Sequence, residues 1–136
     1  MKATYVLDAS ALLKFSEAEP GNRKVEELLQ TAARGQTAIF VSVMNLGEVF
    51  YWTWQKRGEG EARRAIDSLL RLPIDPVSVD LPQALKAGEI KTLHHISYVD
   101  CLAAALATLK QATLVTSDRD FEKLGRNFPV LWLPRR

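Results

Sequence analysis

The chain has a single cysteine, Cys101, so no internal disulfide can brace it. Its setting, "VDCLAAALA", marks it as a small buried apolar residue. No apolar run reaches the length a membrane span requires. The opening "MKATYVLDAS" lacks the charged, then apolar, then small-residue plan of a secretion signal, and a cytoplasmic location is the expectation. Histidine is equally scarce. His94 and His95 are the only two; adjacent residues on a helix point apart, and no cysteine has useful spacing to them, so a zinc site lacks a ligand set. The formal net charge is only +2, too small to signal a nucleic-acid partner by itself. It gains meaning if many of the acids gather in one place, because the remaining surface is then basic. Low-complexity segments, internal repeats and linkers are all missing. With 136 residues, 47% of them hydrophobic and 25% charged, the chain is read as one globular domain, residues 1–136, with a core of its own.

What is present alternates. Tyr5 to Leu7 reads as a buried strand and Ala9 to about Glu17 as a short helix, closed by Pro20-Gly21. Val25, Leu28, Leu29, Ala32 and Ala33 recur with a helical period over Arg23 to Arg34, and Gly35 suits the C-terminal cap. "AIFVSV", Ala38 to Val43, is a second strand. Helices are expected over Met44 to Arg57 and Glu61 to Leu72, broken at Gly58 and Gly60. "IDPVSV" is a short strand or extended crossover. Pro82 to Leu93 and Tyr98 to Lys110 read as helices, Thr113 to Thr116 as a strand, Asp120 to about Arg126 as a short helix, and Val130 to Leu133 as a last strand. Short, wholly apolar strands separated by helices predict a parallel sheet of about four or five strands covered on both faces. In such sheets sites lie beyond the carboxyl ends of the strands, which is where Asp8 and Asp118 fall.

Four acids stand in otherwise apolar stretches, and each has an ordinary structural account. Asp8 after "YVL" and Asp118 after "LVT" can be helix N-caps. Asp120 can be a first-turn acid favoured by the helix dipole. Ser97 and Asp100 fit the capping-box spacing before an apolar run. Glu48 is harder to place, because it lies inside a helix among Leu46, Val49, Phe50, Tyr51 and Trp52, with no lysine or arginine near it in sequence. A buried carboxylate needs a partner, and a metal ion can be that partner. Were these acids to converge, mutual repulsion would raise their pKa values unless a cation sat among them. All-oxygen ligands suit Mg²⁺ or Mn²⁺ better than Zn²⁺.

The order of "VLDASALLK", "NLGEVFY", "SYVDCLAAALA" and "LVTSDRDF" resembles the PIN-domain nucleases, and among them the VapC toxins of prokaryotic toxin–antitoxin pairs. The resemblance covers essentially the whole chain. It implies a three-layer α/β/α sandwich with a parallel sheet, and Mg²⁺- or Mn²⁺-dependent cleavage of single-stranded RNA. By position its acidic quartet is Asp8, Glu48, Asp100 and Asp118. Asp8 and Asp100 are expected as direct metal ligands, Asp118 as a ligand directly or through water, and Glu48 as the group that orients a water or assists proton transfer. Ser10 stands where the family often has a hydroxyl near the metal, and Asp120 matches a frequent further acid. The resemblance also implies a homodimer and a cognate antitoxin that covers the active site.

RNA reaching an acidic crevice needs a basic rim, for which Lys14, Arg119 and Lys123 are candidates; solvated surface is their ordinary account. The aromatic run Phe50, Tyr51, Trp52 and Trp54 is expected mostly in the core, with some of it available for a dimer surface or a partner helix. Two other functions stay open. An aspartyl-phosphate enzyme would use Asp8 as nucleophile, but Ser10 stands where its second aspartate belongs. A catalytically inert fold of the same kind would only bind protein or RNA.

Overall fold

In the computed structural model, which describes residues 2–135, the apolar runs and turn signals resolve into five strands, six α-helices and one 3₁₀ helix. In chain order these are β1 (Ala3–Leu7), α1 (Ala9–Ser16), α2 (Asn22–Ala33), β2 (Thr37–Ser42), α3 (Val43–Arg57), α4 (Glu59–Leu70), β3 (Asp75–Val77), α5 (Leu81–His94), α6 (Tyr98–Leu109), β4 (Thr113–Thr116), the 3₁₀ helix Arg119–Leu124 and β5 (Val130–Trp132). Element types follow the sequence pattern, with ends displaced by one or two residues. The break between α3 and α4 needs one residue, not two. Gly58 takes φ +92°, a left-handed conformation open to glycine, and Gly60 falls inside α4. The last helix is tighter than expected and stops at Leu124, where Gly125 turns the chain at φ +91°.

All five strands are parallel, in the order β3-β2-β1-β4-β5. The chain therefore builds outward from β1 on one side and then crosses to the other side for β4. The gap between the carboxyl ends of β1 and β4 is the topological switch point, where loops diverge and leave a crevice. The register pairs Leu7 with Val115, so Asp8 and Thr116 emerge side by side at that gap.

Strand residues alternate between two apolar layers. Val6 and Leu114 face a layer formed with Ala87, Ile90 and the α6 run Cys101–Ala107. Leu7 and Val115 face the other, formed with Ala11, Leu12, Val25, Leu28, Val49 and Leu69. This is the three-layer α/β/α sandwich. Each large aliphatic side chain fully buried in these layers contributes about 1.5–3 kcal/mol relative to exposure. Cys101 is fully buried, and the four alanines near it let α6 pack closely on the sheet. α3 buries only the stripe Asn45, Leu46, Val49 and Thr53. The helical period consequently turns most of the aromatic run away from the core: Tyr51 and Trp54 are exposed, and Phe50 and Trp52 are half-buried. The expectation that these aromatics are mainly core is corrected.

Candidate metal centre

Asp8 is the single residue between β1 and α1, and its carboxylate is 97% buried (3% exposed). Its Oδ1 accepts the Ala11 backbone N–H at 3.0 Å, which caps α1, and the Ser10 hydroxyl at 2.7 Å. Its Oδ2 accepts the Thr116 hydroxyl at 2.5 Å. A hydroxyl has one proton to give, so both Ser10 and Thr116 are committed to Asp8 as donors. Their remaining lone pairs take the backbone of the next loop. Ser10 Oγ accepts the Ser117 N–H at 3.0 Å, and Thr116 Oγ1 accepts the Asp118 N–H at 2.9 Å. The start of α1 and the end of β4 are thereby tied together.

Asp118 caps the 3₁₀ helix by accepting the Asp120 N–H at 2.9 Å. Asp100 lies in the first turn of α6, with its N–H bonded to the Ser97 hydroxyl at 3.2 Å. One carboxylate oxygen from each of Asp100, Asp118 and Asp120 lies within 4.8 Å of the other two. Asp120, expected as a supporting acid, belongs to the tightest group. Glu48 approaches from α3, half-buried, with Oε1 accepting the Asn45 amide at 2.7 Å. Among the described residues no lysine or arginine forms an ion pair with any of the five acids.

The electrostatics record both burial and crowding. Burial raises the Asp8 carboxyl from 3.8 to about 6, against the pull of its three hydrogen bonds, and Asp118 adds repulsion. Asp100 is also raised to about 6, by burial first, with repulsion from Asp118, Asp8 and Asp120 added and the Ser97 hydroxyl opposing. Glu48 is raised by burial, opposed by Asn45 and reinforced by Asp100 and Asp118. The positive N-terminal ends of α1 and α6 soften this repulsion without supplying a counter-ion. An all-oxygen donor set of this spacing, close enough for one ion and lacking a protein cation, fits a hard divalent cation such as Mg²⁺ or Mn²⁺.

The capping accounts of Asp8 and Asp118 are correct, and both residues nonetheless lie close enough to Asp100 to repel it, because a capping carboxylate needs only part of its acceptor capacity. Thr116, Ser117 and Asn45 were not singled out from the sequence. Asn45 carries a weak signal, standing three residues before Glu48 on the same helix face. Thr116 carries none beyond ending its strand. The expected basic rim is uneven. The Arg119 guanidinium lies 4.3 Å from the centre of the Trp132 ring, a cation–π contact, and Lys123 is exposed. Lys14 is not on the open surface at all, being only 3% exposed. His94 donates from Nδ1 to the Lys123 carbonyl at 3.1 Å, a tie between α5 and the 3₁₀ helix.

The protein is thus a parallel α/β/α sandwich with a cluster of carboxylates, spaced to hold a metal ion, at its switch point. Residues 5–127 match the family model of the PIN domain. The chain belongs to the PIN-domain family. No curated protein matches it. Among solved structures, a chain of VapBC2 from Rickettsia felis bound to a promoter DNA fragment superposes with a TM-score of 0.77 at 20% identity, covering 96% of this chain and 98% of that one. A chain of DNA-bound VapBC from Salmonella typhimurium gives 0.74 at 14% identity, covering 95% and 97%. The sarcin–ricin-loop-cleaving toxin VapC20 of Mycobacterium tuberculosis gives 0.70 at 19% identity, covering 89% and 95%. At these identities the likeness is one of fold.

Proposed function

We propose that the chain is a divalent-cation-dependent endoribonuclease that hydrolyses phosphodiester bonds of single-stranded RNA, acting in the cytoplasm as the toxin of a VapBC-type pair. The observation that carries this reading is the meeting of Asp100, Asp118 and Asp120 within 4.8 Å, with Asp8 and Glu48 electrostatically coupled to them, in a PIN fold. Asp8, Asp100 and Asp118 hold Mg²⁺ or Mn²⁺, with Glu48 reaching it directly or through water. A cation bound there lowers the pKa of a coordinated water and offsets charge on the transition state. Glu48, its pKa raised and its carboxylate held by Asn45, is placed to orient that water or take its proton. Ser10 and Thr116 fix the Asp8 carboxylate, and Asp120 adds charge to the cluster. Arg119, Lys123 and Lys14 are the residues assigned to the RNA backbone.

An antitoxin partner is supported by the toxin–antitoxin complexes among the structures of like fold. A homodimer is supported by exposed apolar residues: Leu81 and Leu85, one turn apart on α5, are 70% and 65% exposed, and Tyr98, bonded to the Ala84 carbonyl, extends that surface. The test is incubation of the purified protein with an RNA panel in Mn²⁺, Mg²⁺ or chelator, followed by sequencing of the cut ends. Cleavage that persists in chelator, or in Asp118→Asn, overturns the reading. The second reading, an inert module, requires that Mn²⁺ leave the melting temperature unchanged.

A further inference from the structure

One pocket lies beside this centre. Ser10, Lys14, Glu19, Trp52, Ser117 and Arg135 line about 300 Å³. Ser10 and Lys14 are one turn apart on α1, so the pocket and the carboxylates share a wall: Ser10 bonds Asp8 on one side and borders the pocket on the other. Lys14 is the unusual member. It is 3% exposed, yet its ammonium has no hydrogen bond or ion pair among the described residues. Its stem is clamped. A Cβ at Gly21, which takes φ +100°, would come within 3.0 Å of both Lys14 Cδ and Pro134 Cδ, so only glycine leaves room for that packing. With its stem buried and its residue lining the pocket wall, Lys14 is held in place to meet an anion there. Arg135, exposed, adds a second cation, and the Ser117 hydroxyl, without a partner among the described residues, adds a donor. Glu19 is the one carboxylate lining the pocket among the described residues, leaving it net positive.

We propose that this pocket seats a phosphate of the RNA strand next to the phosphate that is cut, with Lys14 and Arg135 as its ligands. The proposal rests on the ribonuclease reading. It answers a difficulty that reading creates, because five carboxylates repel a polyanion, and a fixed cation one helical turn from Ser10, which bonds Asp8, holds the strand against that repulsion.

The test compares wild type, Lys14→Met and Arg135→Ala for binding of a short single-stranded RNA in chelator, where no strand is cut, over a series of salt concentrations. Lys14→Met keeps the apolar stem; Arg135 is exposed, so its removal leaves the fold intact. Each variant is expected to bind about tenfold more weakly, as loss of one charge-assisted contact implies, and to lower the slope of log affinity against log salt by about 0.7. Inorganic phosphate is expected to raise the melting temperature of wild type and not that of Lys14→Met. Wild-type affinity and slope in both variants, with RNA still cut by the unaltered protein in Mn²⁺, overturn the pocket alone. A wild type that neither binds nor cuts any RNA overturns the ribonuclease reading and the proposal with it.

Discussion

The α3–α4 hairpin and the carboxyl end of the sheet are both rich in acids, and they treat them in opposite ways. On the hairpin three arginines each hold an acid. Arg63 meets Glu59 at 2.9 Å, Arg64 meets Glu61 at 2.5 Å, and Arg57 grips Glu17, the residue that caps the end of α1, through two nitrogens. The pairs within α4 are solvated and spaced three or four residues apart, and the third joins α3 to the end of α1. At the sheet end, five carboxylates converge with no basic partner among the described residues, held instead by hydroxyls, amides and helix starts. The hairpin arrangement lowers the energy of the folded chain alone. The other raises it, and makes sense only if something positive is added. The same residue type thus serves solubility in one place and a site in the other, and the difference lies in what surrounds it.

The largest expected effect separates the two regions by chemistry. Asp100→Asn or Asp118→Asn lowers metal-dependent RNA cleavage by about 10² or more, as loss of charge at a preorganised centre does. The same changes leave the cation-free protein as stable or more so, because a repelling charge is gone. Full cleavage by Asp100→Asn removes that residue from the chemistry. Arg63→Ala, by contrast, leaves cleavage at the wild-type rate.

Next comes the response to cation and pH. With Mn²⁺ at about a hundred times its dissociation constant, the folded state gains about 2.7 kcal/mol, read as a rise in melting temperature of several degrees. The Asp8 and Asp100 carboxyls, raised from 3.8 to about 6, bind protons more tightly folded than unfolded. Their contribution to cation-free stability is therefore whole below about pH 4 and lost as the pH climbs through about 6. Cation binding needs the ionised forms, so the Mn²⁺ shift is large at pH 7.5 and fades by pH 5. A shift equal at both pH values removes these carboxyls from the site.

Thr116→Val probes the scaffold of the centre. It strips a buried carboxylate of a 2.5 Å hydrogen bond and the Asp118 N–H of its acceptor. The expected loss is about 1–3 kcal/mol at neutral pH, measured by urea unfolding, and it shrinks in acid once Asp8 is protonated. The smallest effect belongs to the hairpin: Arg63→Ala shifts stability by under about 0.5 kcal/mol, because an exposed pair four residues apart is worth little.

Much of this was readable along the chain. The runs "YVL", "AIFVSV" and "LVT" become strands because an apolar β-branched run between turn signals has few other places to go. Asp8, Asp100, Asp118 and Glu48 drew attention as acids in apolar company, a local property. Asn45 and Thr116 did not, since their importance is a hydrogen bond to a residue placed by the fold. Thr116 and Asp8 are 108 positions apart in sequence and 2.5 Å apart in space. Lys14 was misjudged as surface, because nothing in "ALLKF" shows that the segment around Pro134 and the turn at Gly21 close over its stem. The aromatic run after Glu48 was misjudged the other way. Composition suggested core, whereas the helical phase set by Leu46, Val49 and Thr53 sends Tyr51 and Trp54 outward.

By itself the sequence determined the alternation of strand and helix, the caps, and which acids stand among apolar neighbours, all of which depend on periodicity and short-range hydrogen bonding. Only the tertiary structure decided that β4 returns beside β1, that its acids meet α6 and α3 there, and that Lys14 lies buried next to them. Those are contacts between segments remote along the chain. Strand order, which no local pattern encodes, governs whether like charges are spread apart or forced into one crevice.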